Sequence, residues 1–332
     1  MSSNNSRRTR LKTPLDVYRS ISTAGKSRCD RREVIPHPLY FASHTPPTHR
    51  NEHPLAKKKV LVTGLRGTVG QAIRSEFEGR YELSGFSRYG AEDLPDERNH
   101  KGNIADRDSV VTAFQGQHTV VHLAADRSAT ADWESALRNN FVGTYNIFEA
   151  AKLAGVKRVV FGSSQHSIGG NYLDEPYRSI LAGEFDKVTR PYPLMDESIA
   201  IRPSGYYGAS KAYGEALGSV YKDYYGVNSI HVRIGWTISN NDPRSSGGGL
   251  AMWLSSRDTA QIMYKAVDAP DDLDYAVVFA TSNNYWNIFN LDKARKLLGY
   301  DPQDDAGKLI DPNSKLPDRD RTEFKENPED PD

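Results

Sequence analysis

Between residues 59 and 77 the chain passes from a strand to a helix through three glycines at fixed spacing. Lys59-Val-Leu-Val-Thr63 is a short apolar, β-branched run. Gly64, Gly67 and Gly70 follow, and Gln71-Ala-Ile-Arg-Ser-Glu-Phe77 then sets its apolar residues at helical intervals. A strand that turns straight into a helix leaves few folds open, because the helix must lie back across a face of the sheet that holds the strand. The same turn aims the free N–H groups of the helix N-terminus, and their partial positive charge, at whatever sits above the strand end. Gly64 permits the tight turn, Gly67 lets the backbone approach an anion, and Gly70 lets helix and strand pack closely.

The alternation continues. Strands are expected over 81–86, 119–123 and 158–162, with helices near 106–114 and 133–153, and no hairpin turn between them. Such a pattern implies a parallel sheet covered on both faces. Right-handed crossovers then give an α/β, doubly wound, Rossmann-type fold with a small C-terminal lobe. In that setting the glycine turn reads as a seat for a dinucleotide pyrophosphate, held by Gly64, Gly67, Thr68, Val69 and Gly70.

Charge divides the chain into unlike parts. Overall, 43 Lys and Arg balance 43 Asp and Glu, which excludes a uniformly basic nucleic-acid binder. Yet residues 1–59 hold 13 basic side chains against four acids. Residues 1–56, rich in Ser, Arg, Pro and His, show no period and are expected to form a disordered basic extension. Residues 311–332 are expected to form a disordered acidic tail, so the catalytic unit spans 57–310. No run approaches the length of a spanning helix, so no membrane partner is expected. Cys29 is the sole cysteine, which excludes an internal disulfide, and no metal site is expected from the scattered histidines. The expected location is cytoplasmic, with an organellar transit peptide as the alternative reading of the basic extension.

Three further segments carry chemistry. The second strand ends in Ser84-Gly-Phe-Ser87-Arg88, with no carboxylate to accept from a ribose 2′-hydroxyl. Ser87 and Arg88 stand where a 2′-phosphate needs a hydroxyl and a guanidinium, so NADP is favoured over NAD. Tyr207-Gly-Ala-Ser-Lys211 places a phenol and an ammonium on one helix face. A phenol with its free pKa near ~10 is a poor base at neutral pH, and an adjacent ammonium favours its ionised form. At the end of the fourth expected strand, where ligands of open α/β sheets sit, stand Ser163, Ser164, Gln165 and His166.

With the glycines spaced as Thr63-Gly64-x-x-Gly67-x-x-Gly70, the chain resembles the extended branch of the short-chain dehydrogenase/reductase superfamily. The resemblance implies a catalytic set of Ser164, Tyr207 and Lys211, with Ser163 as the runner-up serine. It also implies cofactor contacts from Asn103, Ile104, Leu123, Ala124, Ala125 and Asn140, and from Tyr207 and Lys211 themselves. Ser163-Ser-Gln-His-Ser-Ile-Gly169, the segment from Asn140 to Ala151, and Val232-Arg-Ile-Gly235 are similar to uronate dehydrogenases. That similarity implies a sugar substrate held by Ser164, Gln165 and His166, with Arg244 as counterpart of a carboxylate-clamping arginine. The expected reaction transfers hydride from C1 of a sugar acid or related sugar to the nicotinamide, giving a lactone. A nucleotide-sugar epimerase or dehydratase, and a non-catalytic cofactor sensor, are the alternatives. A homo-oligomer is expected by analogy.

Overall fold

The structure, a computed structural model, describes residues 57–91, 93–128 and 132–309. Both expected extensions, residues 1–56 and 311–332, lie outside the described residues.

The described residues form a seven-stranded, all-parallel sheet. Its strands are β1 (Lys59–Thr63), β2 (Glu82–Ser87), β3 (Asn99–Lys101), β4 (Thr119–His122), β5 (Arg158–Ser164), β6 (Asn228–Ile234) and β7 (Tyr275–Ala280). The order is β3-β2-β1-β4-β5-β6-β7, which is the doubly wound arrangement expected. The chain leaves β1 in one direction and returns at β4 on the other side, so the order reverses between these two strands. Thr63 pairs with Phe86 on one side and His122 on the other.

Strand alternation divides the core. Val60 and Val62 face one side with Ile73 and Phe77 of α1 (Thr68–Arg80). Leu61, Val120 and Val159 face the other, against Val110 and Phe114 of α2 (Arg107–Phe114) and Ile147 and Phe148 of α3 (Gly143–Ala154). Both faces are therefore covered, and the strands read as near-continuous apolar runs. The edge strand β3, Asn-His-Lys, carries no apolar signal and was not anticipated.

The expected helix over 133–153 is present but not uniform. A turn over Trp133–Ser135 and a π-helical stretch over Ala136–Val142 lead into α3. The small lobe is not a contiguous C-terminal block. It is assembled from parts of the segments following β5, β6 and β7, including α4 (Tyr177–Leu181), α6 (Gly247–Met252) and α8 (Asp292–Leu298), whereas the long α5 (Gly205–Tyr225) and α7 (Ser256–Val267) in the same segments cover the two faces of the sheet. Met195 N–H donates to Ile288 O (2.9 Å) and Asn290 N–H to Met195 O (2.8 Å), stitching the first and third of these segments together. Among the described residues no helix is long and apolar enough to cross a membrane.

Candidate active site

The site begins at the crossing of β1 and β4. Thr63 Oγ1 accepts from Leu123 N–H and Ala124 N–H, both at 3.2 Å, and lies 2.8 Å from His122 Nδ1. With both lone pairs engaged, the hydroxyl proton goes to His122 Nδ1, which fixes the imidazole as its Nε2–H tautomer. Burial, and secondarily the Lys211 charge, push the His122 pKa down to about 3, in keeping with a neutral ring. The turn after β1 then packs on the turn after β4. Gly64 has φ +76°, and a Cβ on it would lie 2.8 Å from Ala124 N, so no side chain fits there.

This junction opens a cavity of about 880 Å³ at the C-terminal ends of the strands. The size suits a ligand larger than a simple metabolite. Its lining includes nearly every residue expected from the sequence: Gly64, Gly67, Thr68, Val69, Gly70, Ser87, Arg88, Asn103, Ile104, Leu123, Ala124, Ala125, Ser164, Gln165, His166, Tyr207 and Lys211. No side chain caps α1, and its first turn holds no acid, so its leading N–H groups are available to an anion. These features fit a dinucleotide pyrophosphate. The Ser87 hydroxyl donates to Gly90 O (2.8 Å), which holds the turn bearing Arg88.

Ser163 and Ser164 separate as alternation requires. The Ser163 hydroxyl donates to Glu215 Oε1 (2.6 Å), and Glu215 is gripped by Arg233 through two 2.9 Å bonds in a buried pair. Ser163 thus belongs to a polar network beside the site. Ser164 Oγ accepts from His166 N–H (3.2 Å) and is hydrogen-bonded to the Tyr207 hydroxyl.

Tyr207 reaches Ser164 because α5 packs unusually close. A Cβ at Gly208 would lie 2.2 Å from His166 O, so only glycine allows the helix to approach. Ser204 supports the contact: its N–H donates to His166 O (3.0 Å), and its hydroxyl meets His166 Nδ1 (2.7 Å). Burial raises the Tyr207 pKa, while the Arg127 charge and the Ser164 hydrogen bond oppose that rise. One turn on, Lys211 Nζ donates to Gly162 O (2.7 Å) and sits 5.4 Å from the Tyr207 ring centroid. Desolvation lowers the Lys211 pKa to about 8.

Two expected residues lie elsewhere. The Arg244 guanidinium is bound to Asp242 at 2.8 and 2.6 Å, is largely exposed, and is not among the cavity-lining residues. An Asx turn, with Arg244 N–H donating to Asp242 Oδ1 (3.1 Å), folds the side chain back onto its neighbour. Asn140 also does not line the cavity, whereas Asn139 does. Its amide accepts from Asp126 N–H (2.8 Å) and donates to Asp126 O (2.9 Å), clamping the loop after β4.

Sequence reasoning missed several lining residues: Arg66, Tyr89, Arg127 and Trp236. Arg66 lies inside the glycine pattern and Arg127 directly follows Leu-Ala-Ala-Asp, so both were readable as charges beside recognised turns. Tyr172 was also missed. Its hydroxyl donates to Gln165 Oε1 (2.6 Å) and Gln165 O (3.0 Å), which fixes the side chain of this cavity-lining residue. Gln165 and Tyr172 are seven residues apart with no motif linking them, and the fold brings their side chains together.

Residues 60–257 match the NAD dependent epimerase/dehydratase family. The chain is 36% identical over 258 residues to the NAD-dependent glucose-6-phosphate dehydrogenase of Haloferax volcanii, covering 75% of this chain and 95% of that one. It is 31% identical over 270 residues to the L-arabinose 1-dehydrogenase (NAD(P)(+)) of the same organism, covering 76% and 99%. A mutant uronate dehydrogenase from Agrobacterium tumefaciens, complexed with NAD, superposes with a TM-score of 0.62 at 28% identity, covering 78% and 93%.

The buried Lys211 carries a stability cost. Its pKa falls from 10.5 to about 8 on folding, so both folded and unfolded chains hold the proton below pH 8. The desolvation penalty, about 3 kcal/mol, is therefore fully present at neutral pH and fades as pH rises from 8 toward 10.5. Lys211→Met should melt at or above the wild-type temperature at pH 7 in thermal denaturation. A loss of many degrees would show that the ammonium is a net stabiliser.

Proposed function

The chain belongs to the NAD dependent epimerase/dehydratase family, and we propose that it oxidises C1 of a sugar or sugar acid to the lactone. The observation that carries the reading is the convergence of Ser164, Tyr207 and Lys211 at the sheet end beside the glycine turn. The nicotinamide, when bound, supplies the acceptor for the C1 hydride.

The protein's part is positional and electrostatic. Ser164 and Tyr207 hold the C1 hydroxyl between them. Tyr207 takes its proton as the C1–H bond breaks. Lys211, anchored on Gly162 O, presents a desolvated ammonium that favours the tyrosinate. Ser164 donates to the same oxygen and keeps the phenol oriented. Gln165, held by Tyr172, and His166, held by Ser204, contact the remainder of the ring.

A sugar dehydrogenase is favoured over an epimerase by size. The described lobe is built from short segments, and this chain spans 95% and 99% of two sugar dehydrogenases, so no added nucleotide-binding portion is needed to account for it. Tyr207→Phe should lower kcat by at least about 1,000-fold, near the upper part of the range for loss of a general base. Cofactor affinity, read by fluorescence titration, should change little. Retained turnover in this variant refutes the assignment of Tyr207.

For the cofactor, NADP is the preferred form in this proposal. The support is the absence of any carboxylate at the end of β2 and the presence of Arg66 and Arg88 among the residues lining the cavity. Arg88→Ala should raise KM for NADP about ten-fold, as expected for one lost charge-assisted phosphate contact, with a much smaller change for NAD. Equal changes for both cofactors would remove Arg88 from 2′-phosphate recognition.

A further inference from the structure

Three consecutive residues at the end of β5 grip three successive turns of α5. Gly162 O accepts from Lys211 Nζ (2.7 Å), the Ser163 hydroxyl donates to Glu215 Oε1 (2.6 Å), and Ser164 is hydrogen-bonded to the Tyr207 hydroxyl. Tyr207, Lys211 and Glu215 follow one another at four-residue intervals, so they lie along one face of the helix. Two of these contacts belong to the proton transfer. The third does not: Glu215 is buried and is not among the cavity-lining residues.

The third contact is the most firmly built. Arg233 Nε and Nη2 donate to Glu215 Oε1 and Oε2, each at 2.9 Å, and the two side chains are only 3% and 6% exposed. Arg233 is the register partner of Ser163, so the serine, the carboxylate and the guanidinium tie β5, α5 and β6 at one level. The Tyr275 hydroxyl of β7 adds a bond to the backbone O of Glu215 (3.0 Å). A bidentate, desolvated pair of this kind is strong and fixed in direction. The helix face around it is smooth by contrast. A Cβ at Gly214 would lie 2.3 Å from the Phe161 ring, and one at Gly218 would lie 2.2 Å from His231 Nε2. Glycines bring α5 close to the sheet but present no ridge to interlock with it, so packing alone leaves sliding and rotation of the helix unfixed.

We propose that Glu215 and Arg233 are positioning residues for oxidation at C1: they fix the height and rotation of α5 on β5, and so the reach of Tyr207 to Ser164 and of Lys211 to Gly162 O. This rests on the dehydrogenase reading above. Neither side chain lines the cavity, so both act through the residues that do. Glu215 stands eight residues from Tyr207, about 12 Å along the helix axis. A helix is stiff over two turns, so a displacement at Glu215 reaches the phenol. A misplacement of about 1 Å at the reacting atoms costs about 100-fold in rate.

Glu215→Gln keeps the shape of the side chain and removes its charge. With glucose, glucuronate and glucose 6-phosphate as the sugar panel, kcat per cofactor-binding site should fall about 100-fold on each sugar that the wild type oxidises. KM for the sugar and the cofactor Kd should change little, because Gln165 and His166 follow β5 and the glycine turn follows β1. Counting sites by cofactor titration removes any unfolded fraction from the rate. Glu215→Gln also strands Arg233 as a buried cation, so Glu215→Met/Arg233→Met is the second variant. Exchange of a whole buried pair for apolar side chains of similar size is often neutral for stability. Its melting temperature should therefore exceed that of Glu215→Gln, with kcat per site still about 100-fold low.

Crystal structures of both variants supply a readout that needs no turnover. Tyr207 should stand out of hydrogen-bond reach of Ser164, or Lys211 out of reach of Gly162 O. If that displacement is present and no sugar of the panel reduces NAD or NADP with the wild type, the clamp stands and the dehydrogenase reading fails. If the wild type turns over and kcat per site is unchanged in either variant, the proposal fails and the dehydrogenase reading stands. A rate that recovers with the melting temperature in the double variant, or variants in which both contacts keep their wild-type geometry, shows a merely structural pair and overturns the proposal.

Discussion

The site depends on how closely the ends of β1 and β4 meet. The strand order reverses there, and a parallel sheet leaves a crevice at that point only if the two following turns diverge from a common origin. Thr63 supplies that origin. Its hydroxyl receives two backbone N–H groups of the β4 turn and gives its proton to His122, while Gly64 packs on Ala124 with no room for a side chain. From this one contact the chain sends α1 in one direction, aiming its uncapped N-terminus across the crevice. It sends the loop carrying Arg127 in the other. A larger residue at Gly64 would separate the two turns and displace both walls of the cavity.

The second requirement is a positive environment placed within a mildly acidic domain. Residues 60–310 hold 26 basic side chains against 31 acids, yet the described cavity lining carries four cations and one acid. Positive charge is therefore concentrated where a dinucleotide's phosphates would sit. Lys211 contributes at the expense of stability, since its ammonium is desolvated to serve the tyrosine. Arg233 and Glu215 show the opposite arrangement. They are buried, paired through two bonds, and joined to Ser163, so their charges neutralise one another and hold β5, β6 and α5 in register. Breaking such a pair by removing one partner leaves a buried charge uncompensated.

Much of this was readable in the sequence, for a physical reason. Strands buried on both faces are apolar runs, glycines mark turns that only glycine makes, and Tyr207 and Lys211 lie four residues apart on a helix, so local pattern carries the information. The edge strand β3 was not readable, because a polar three-residue strand is stabilised by pairing with β2 and not by its own side chains. Nor was the fate of Arg244, where an Asx turn two residues upstream decides the direction of the side chain. Asn140 was recognised, but its partner is the backbone at Asp126, a contact set by the π-helical stretch, which shifts side-chain direction without a composition signal. Arg127 was overlooked because a lone arginine in a loop is a common surface residue until the fold turns that loop into a cavity wall.

The central claim is that hydride leaves C1 of a sugar and ends on the nicotinamide. It is tested most directly by supplying glucose, glucuronate and glucose 6-phosphate deuterated at C1, with NAD or NADP, and locating the label by mass spectrometry. The account predicts stoichiometric deuterium in the reduced cofactor, a lactone product lacking the label, and a slower rate than with the unlabelled sugar. Sugar returned with its label in place and its configuration inverted at another carbon, with no net cofactor reduction, would contradict it.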